Sequence, residues 1–303
     1  MFMIDPNPPK WFQEALAQEP EKLSTKIKGI KISYNAWGDK KNPGILFVHG
    51  GMAHADWWSF IAPYFYKTHR VIAMNLGGMG DSDWRKEYST EIWGQEIVGV
   101  CKKEKLRKPI IVGHSLGGMC AVVAASIMKK DLYGLVIVDT AVIPPSKIPD
   151  KFDFKIKANN TYKTIKDAKS RFRLVPSQGN SLDYIMNYIA DKSIKKVRSG
   201  WTWKFDPKYM KIFTSEGFKE RQSIFRKKLQ GLRCRVAIFR GEKSLIFPGG
   251  IAKYMHELMD KKSPIISIPE AHHHIMVDQP LALVASLRAL IIDWDHSKPS
   301  KAS

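Results

Sequence analysis

Ser115 is the residue of this sequence that is best placed to act as a nucleophile. It is the centre of residues 113–117, which read Gly-His-Ser-Leu-Gly and fit the G-x-S-x-G pattern. An apolar run at 110–112 predicts a buried strand before it, and residues 119–128 favour a helix after it. A strand, a tight turn and a helix in that order hold a serine hydroxyl above a sheet, so we predict a nucleophile. A glycine-rich turn with an incidental serine is the alternative.

A serine nucleophile needs a base, and the only cluster of histidines downstream is His272, His273 and His274. The cluster follows the last predicted strand, where a loop can carry a base over the edge of a sheet. Three adjacent histidines could also hold a metal ion, but neighbours on an extended segment point to opposite faces. We therefore expect a base here, and we expect neither a metal nor a cofactor.

The elements around these residues predict a sheet covered by helices. Strands are expected at 45–48, 71–74, 110–112, 135–138, 235–239 and 265–268. Helices are expected at 57–66, 90–105, 119–128, 251–259 and 281–294. Residues 26–31 and 32–37 alternate apolar and polar and predict an edge hairpin. Near-continuous apolar strands separated by helices indicate an α/β fold, with a mostly parallel central sheet and helices on both faces.

The alternation of strands and helices breaks after Asp139. Residues 144–232 contain no clean strand and are rich in aromatic residues, Lys and Arg. We predict that they form an inserted helical cap on a core made of residues 1–143 and 233–297. Residues 298–303 are expected to be a flexible tail.

With these motifs the sequence resembles the α/β-hydrolase superfamily, over nearly the whole chain outside the cap. In that superfamily the catalytic residues follow the order Ser, acid, His. The histidine typically opens an H-x-x-x-x-(D/E)-x-P stretch, and counting back from Asp278 and Pro280 selects His273. Residues 75–83 resemble the superfamily's D-x-x-G-x-G-x-S loop with Asn75 in place of Asp, which favours a structural role.

The resemblance leaves two choices for the acid. Most members carry an Asp in a G-x-x-D pattern after the strand at 235–239, but Ser244 occupies that position here. Some members carry the acid after the preceding strand, which implies Asp139. Glu242 is the alternative, because a longer carboxylate near the usual position could reach the imidazole. Asp139 could instead cap a helix or pair with a lysine of the cap.

The resemblance also implies an oxyanion hole made of two backbone N–H groups. Leu116, which follows the nucleophile, supplies the first. The second comes from residues 49–52, His-Gly-Gly-Met, with Gly51 as the expected donor and Met52 as the alternative. His49 is expected to hold this loop by hydrogen bonds, and it is also a candidate to contact the substrate.

Aromatic and basic residues are the other candidates to bind a substrate. A cap rich in aromatic residues can close an apolar pocket, although each of them could equally belong to the core. The tryptophans proposed for such a pocket are Trp57, Trp58, Trp201 and Trp203. Arg171 offers the bidentate fork that suits a carboxylate, and Arg173 and Lys204 are further candidates.

The composition argues against several classes of partner. The 303 residues carry a formal net charge of +20, but the lysines are spread along the chain without a nucleic-acid motif, so we expect no nucleic-acid partner. A Lys-rich composition or attraction of an anionic substrate explains the charge. No apolar run suits a membrane span, residues 1–9 lack a secretory signal, and three scattered cysteines favour a reducing compartment. We therefore expect a cytoplasmic protein without a membrane partner, and nothing indicates its oligomeric state.

These residues together predict hydrolysis through an acyl-enzyme. We expect a serine hydrolase that cleaves a small-molecule ester, thioester or lactone, in which Ser115 attacks, His273 takes its proton and Asp139 orients the imidazole. A hydrolase of the C–C bond in a β-diketone-like substrate would use the same triad. A ligand receptor that keeps the fold with slow or absent turnover is the alternative from another class.

Overall fold

The computed structural model describes residues 8–150, 160–179, 181–259 and 263–297. The expected tail at 298–303 and part of the expected cap, residues 151–159, lie outside the described residues. The strands are β1 (Glu21–Ile27), β2 (Ile30–Trp37), β3 (Gly44–Val48), β4 (Arg70–Met74), β5 (Ile110–His114), β6 (Gly134–Val138), β7 (Ile194–Val197), β8 (Gly200–Trp203), β9 (Arg235–Gly241) and β10 (Ile265–Ile268). The α-helices are α1 (Lys10–Leu16), α2 (Thr90–Lys103), α3 (Leu116–Met128), α4 (Ile165–Ser170), α5 (Asp183–Lys192), α6 (Ser215–Gln230), α7 (Gly249–Leu258), α8 (Ile275–Asp278) and α9 (Pro280–His296).

Eight strands form the central sheet in the order β1-β2-β4-β3-β5-β6-β9-β10. From β4 to β10 every neighbouring pair is parallel, whereas β2 pairs antiparallel with both β1 and β4. The strands β3, β4, β5 and β6 are buried along their whole length, as expected where helices cover both faces. The predicted α/β fold with a mostly parallel sheet is therefore confirmed.

Helices cover the sheet on both sides. Side chains alternate between faces along a strand, so Ile45 and Phe47 of β3 enter one apolar cluster while Leu46 and Val48 enter the other. The first cluster contains residues of α1, α5 and α9, and the second contains residues of α2, α3, α6 and α7. Among the described residues, no helix is both long enough and apolar enough to cross a membrane.

Two predictions of local structure near the amino terminus are wrong. The edge hairpin turns earlier than expected, at Lys28 and Gly29, whose φ angles of 46° and 85° suit a two-residue turn. The helix expected at 57–66 is replaced by two short 3₁₀ helices, Ala55–Trp58 and Ala62–Phe65. Pro63 explains the break because proline has no N–H to donate to a preceding carbonyl.

The region between β6 and β9 contains more than helices. The helices α4, α5 and α6 lie there, but β7 and β8 form an antiparallel hairpin where no strand was expected. Its strands are only four residues long, too short for a clear alternation in sequence. Gly200 adopts a φ of 133° and opens β8 after the turn.

The carboxyl ends of the parallel strands bring distant residues to one edge of the sheet. The loop that begins at His49 follows β3, Ser115 follows β5, and Asp139 follows β6. The loop from β10 to α8 carries His273 to the same edge. In open α/β sheets this edge is where ligands bind.

Candidate active site

Ser115 lies in a tight turn between β5 and α3. Its φ of 53° and ψ of −121° are unfavourable for a residue with a side chain, and its N–H donates to the Val138 carbonyl at 3.0 Å. The flanking glycines leave room for the turn. A Cβ on Gly113 would lie 2.5 Å from the Gly117 carbonyl oxygen, and a Cβ on Gly117 would lie 2.4 Å from the His49 carbonyl oxygen. Both positions therefore require glycine.

His273 lies between Ser115 and Asp139. Its Nε2 is 3.1 Å from the Ser115 Oγ, and its Nδ1 is 2.7 Å from the Asp139 Oδ2. The backbone carbonyl of His273 accepts a hydrogen bond of 2.9 Å from the Nε2 of His114. Both sides of the imidazole and the backbone behind it are therefore held in place.

Asp139 is completely buried and accepts hydrogen bonds from two further groups. The Ser244 hydroxyl donates to its Oδ2 at 2.6 Å, and the Gly241 N–H donates to its Oδ1 at 2.8 Å. Both donors come from the end of β9 and the loop after it. Ser244, at the position where the superfamily usually has Asp, is thus a partner of the carboxylate that follows β6.

The loop after β3 packs closely against the serine turn. A Cβ on Gly50 would lie 3.2 Å from the Ser115 Cβ, and Met52 adopts a φ of 59°. His49 fixes this loop because its Nδ1 bonds the Gly50 carbonyl at 2.7 Å and its Nε2 accepts the Leu76 N–H at 3.1 Å. Burial lowers the pKa of His49 to about 3, so its ring is neutral and can accept that bond.

Two neighbouring cavities open at this edge of the sheet. The first, of about 340 Å³, contacts Ser115, Asp139 and His273. The second, of about 550 Å³, lies beside it and is lined largely by residues between β6 and β9. Gly51, Met52, Trp57, Val175 and His274 line both cavities. The two cavities therefore share part of their walls.

A sequence model of the α/β hydrolase fold family matches residues 43–278. The chain belongs to the α/β-hydrolase family. Esterase Rv0045c of Mycobacterium tuberculosis is 23% identical over 281 residues, which cover 88% of this chain and 88% of the esterase. Together the family match and this relative support a hydrolase activity.

Solved structures of this family share the fold at low sequence identity. E-2-(acetamidomethylene)succinate hydrolase has a TM-score of 0.78 and 20% identity, covering 90% of this chain and 100% of its own. The thioesterase domain from the curacin biosynthetic pathway has a TM-score of 0.73 and 20% identity, covering 90% of this chain and 99% of its own. The resemblance inferred from sequence motifs is thus confirmed.

The hydrolase fold keeps the two candidate acids apart. Asp139 contacts His273, whereas Glu242 is exposed and its Oε2 accepts the Glu270 N–H at 3.0 Å. For the oxyanion hole, Leu116 opens α3 directly after Ser115, and Gly51 and Met52 line the cavity beside it. The Tyr209 hydroxyl also approaches this loop, 3.2 Å from where a Cβ on Gly51 would be.

The residues expected to bind substrate divide into two groups. Trp57, Trp203 and Arg171 line the larger cavity. Trp58 is fully buried and packs against Phe47, with ring centroids 4.9 Å apart. His49 is held in its loop. The described residues that line the two cavities include none of Trp58, Trp201 and His49.

Among the described residues, the segment between β6 and β9 makes several contacts with the rest of the chain that the sequence did not indicate. Gln178 accepts the backbone N–H and the Nδ1 of His274 at 2.9 and 2.8 Å, and it donates to Asp278 at 3.2 Å. At the glycine loop 75–83, the Gly80 N–H donates to the Lys204 carbonyl and the Asp206 N–H donates to the Gly78 carbonyl. A single glutamine in an irregular segment has no sequence signature.

Proposed function

We propose that this chain is a serine hydrolase that cleaves a small carboxylic ester, thioester or lactone through an acyl-enzyme on Ser115. The observation that carries the proposal is the unbroken path of hydrogen bonds from the Ser115 Oγ through His273 to the buried Asp139. A nucleophile, a base and an orienting acid are the groups that this chemistry needs.

In the proposed reaction the Ser115 Oγ bonds to the substrate carbonyl carbon, and its proton passes to the His273 Nε2. The N–H groups of Leu116 and Gly51 stabilise the oxyanion. As the bond to the leaving oxygen or sulfur breaks, His273 protonates that atom. Water then attacks the acyl carbon and gives a proton to His273, and Ser115 recovers its proton when the acid departs.

The smaller cavity and the relatives support an acyl substrate. Apolar side chains, among them Met119, Ile143 and Ile251, line the cavity around Ser115, which favours an apolar acyl group. The relative in M. tuberculosis is named an esterase, and one structural neighbour is named a thioesterase domain. Both names denote cleavage of an acyl bond.

The direct test is labelling with a fluorophosphonate, which reacts with an activated serine. We expect the wild type to be labelled and Ser115→Ala to remain unlabelled. Ser126→Ala serves as a control because Ser126 lies on α3 and donates to the Val123 carbonyl. Equal labelling of the wild type and Ser115→Ala would contradict the proposal. Esters of graded acyl length, assayed with the same variants, then define the acyl group.

A further inference from the structure

We propose that the larger cavity is a subsite for an anionic group on the leaving half of the substrate, and that Arg171 binds this group. The anion is a carboxylate or a phosphate. This inference rests on the proposed function, since it assigns the two halves of an acyl substrate to the two cavities. The subsite adds a requirement for negative charge on the substrate, which the catalytic residues do not impose.

The charge of the cavity wall is the first argument. Arg171 and Arg173 line the larger cavity, and none of its described lining residues carries a carboxyl group. The Arg173 guanidinium donates to the Ser170 and Phe172 carbonyls, which hold it without neutralising it. The Arg171 guanidinium makes no hydrogen bond or ion pair with the described residues. Its donors are therefore available to a ligand.

Two arginines that support the core have carboxylate partners: Arg70 is paired with Glu21 and Glu104, and Arg85 is paired with Glu96. Arg171 is exposed and has no such partner among the described residues. Its guanidinium in the cavity wall therefore suits a ligand that brings its own negative charge.

The direction of the leaving group is the second argument. In the proposed reaction His273 protonates the leaving atom, so the leaving group lies on the side of that imidazole. His274, the next residue, lines both cavities, and its ring centroid is 4.8 Å from that of His273. A group that departs past His273 therefore enters the larger cavity, where Trp57 and Trp203 provide flat apolar walls.

His274 adds a neutral hydrogen-bond acceptor at this junction. Its Nδ1 is bound to Gln178, and its Nε2 has no partner among the described residues. Burial and then the neighbouring His273 lower the pKa of His274, so the ring does not compete with Arg171 as a second cation. The anion is therefore expected to be held by the arginine side of the cavity.

Three matched substrates test the subsite: phenyl butyrates that carry a carboxamide, a carboxylate or a phosphonate at the meta position. We expect the wild type to prefer one or both anionic esters, and the preferred anion distinguishes carboxylate from phosphate recognition. Arg171→Ala should lower kcat/KM for that ester about tenfold and leave the carboxamide ester within about twofold, as for one exposed charged hydrogen bond.

Arg198→Ala is the matched control, because Arg198 is an exposed arginine in the turn of the cap hairpin and lines neither cavity. It should leave the kcat/KM of all three esters within about twofold of the wild type. If both arginine variants lose kcat/KM for the anionic ester equally, the positive electrostatic potential of the whole protein, and not a subsite, attracts the anion. Equal rates of the wild type on charged and neutral esters, or a loss in Arg171→Ala that is the same for all three, would also overturn the proposal.

A binding measurement separates the subsite from the catalytic proposal. In Ser115→Ala, calorimetry with the carboxylate and carboxamide esters should show tighter binding of the carboxylate, and the added Arg171→Ala substitution should abolish the difference. If the wild type hydrolyses none of the esters but this difference is present, the catalytic proposal fails and the subsite stands. If the esters are hydrolysed but no difference is found, only the subsite fails.

Discussion

Asp139 is the candidate acid, and it follows β6 and not β9, the strand after which most members of the family carry their acid. Its carboxylate is buried at the end of β6, and the groups that surround it are all donors: His273, the Ser244 hydroxyl and the Gly241 N–H. Donors on both oxygens fix the direction of this buried carboxylate. Ser244, at the position where most members of the family carry the acid, thus binds the carboxylate of Asp139 through its hydroxyl.

Replacing the two candidate acids tests this assignment. Asp139→Asn should lower kcat/KM by about 10³-fold or more, because an amide cannot stabilise the imidazolium and favours the wrong tautomer. Glu242→Gln should stay within about twofold, since its side chain bonds the backbone of Glu270 and does not contact His273. Initial rates on an aryl ester across substrate concentrations measure both. A larger loss in the Glu242 variant would move the acid to Glu242.

Ser244 should contribute through Asp139 and not through the substrate. Ser244→Ala removes the 2.6 Å hydrogen bond to the Asp139 Oδ2, so we expect kcat to fall about tenfold with KM little changed. Ser199→Ala, in the exposed turn of the cap hairpin, is the control and should be neutral. Ser244→Thr keeps the hydroxyl and should recover part of the loss. A change confined to KM would instead place Ser244 in contact with the substrate.

At the scale of elements, predictability follows the pattern that each element leaves in the sequence. The strands β3, β4 and β10 are predicted closely because each is a short apolar run between breaks. The hairpin β7-β8 is missed because its strands have only four residues each and are only partly buried, and β7 carries two lysines. The short helix α1 is missed as well, since seven residues leave little periodicity.

Some residues of the candidate site can be predicted from the sequence and others cannot, for the same reason. Ser115 and the glycines around it are readable because the turn restricts the residue types, and His273 because a motif fixes its spacing. Gln178 and Tyr209 reach the site from irregular or 3₁₀ segments, where neither periodicity nor spacing marks a residue. Their positions depend on how the segment between β6 and β9 packs against the rest of the chain, which is a long-range property.

Gln178 connects the segment between β6 and β9 to the loop that carries His273. Gln178→Ala removes its hydrogen bonds to His274 and Asp278, so the loop should loosen and kcat should fall about three- to tenfold. Gln230→Ala, at the exposed end of α6, is the control. Gln178→Glu keeps the acceptor for His274 but places a carboxylate beside Asp278, and should recover only part of the rate. Wild-type rates in Gln178→Ala would show that the loop holds its shape without these hydrogen bonds.

At the scale of the whole molecule, the positive net charge and the buried histidines both predict that the folded state loses stability at low pH. The chain has a net charge of +20, and its positive charges repel one another more strongly in the compact state than in the unfolded state. Protonation of any group raises the net charge further. His49, His114 and His274 are buried, and burial is the largest cause of the lowered pKa of each. Glu96 and Asp278 act in the opposite sense, because burial raises their pKa values and favours their protonated forms.

The sign of the pH dependence follows from proton binding in the two states. Below the ordinary histidine pKa of 6.5, the unfolded chain binds protons at these three histidines and the folded chain does not, so the free energy of unfolding falls as the pH falls. Each histidine contributes up to about 1.4 kcal/mol per pH unit.

Urea unfolding at pH 7.5, 6.5 and 5.5 tests this dependence. The free energy of unfolding should change little between pH 7.5 and 6.5 and should fall strongly between pH 6.5 and 5.5. His296→Gln, at the exposed end of α9, is the control and should show the same loss, because it leaves the three buried histidines in place. A free energy of unfolding that stays constant down to pH 5.5 would mean that the buried rings accept protons without unfolding.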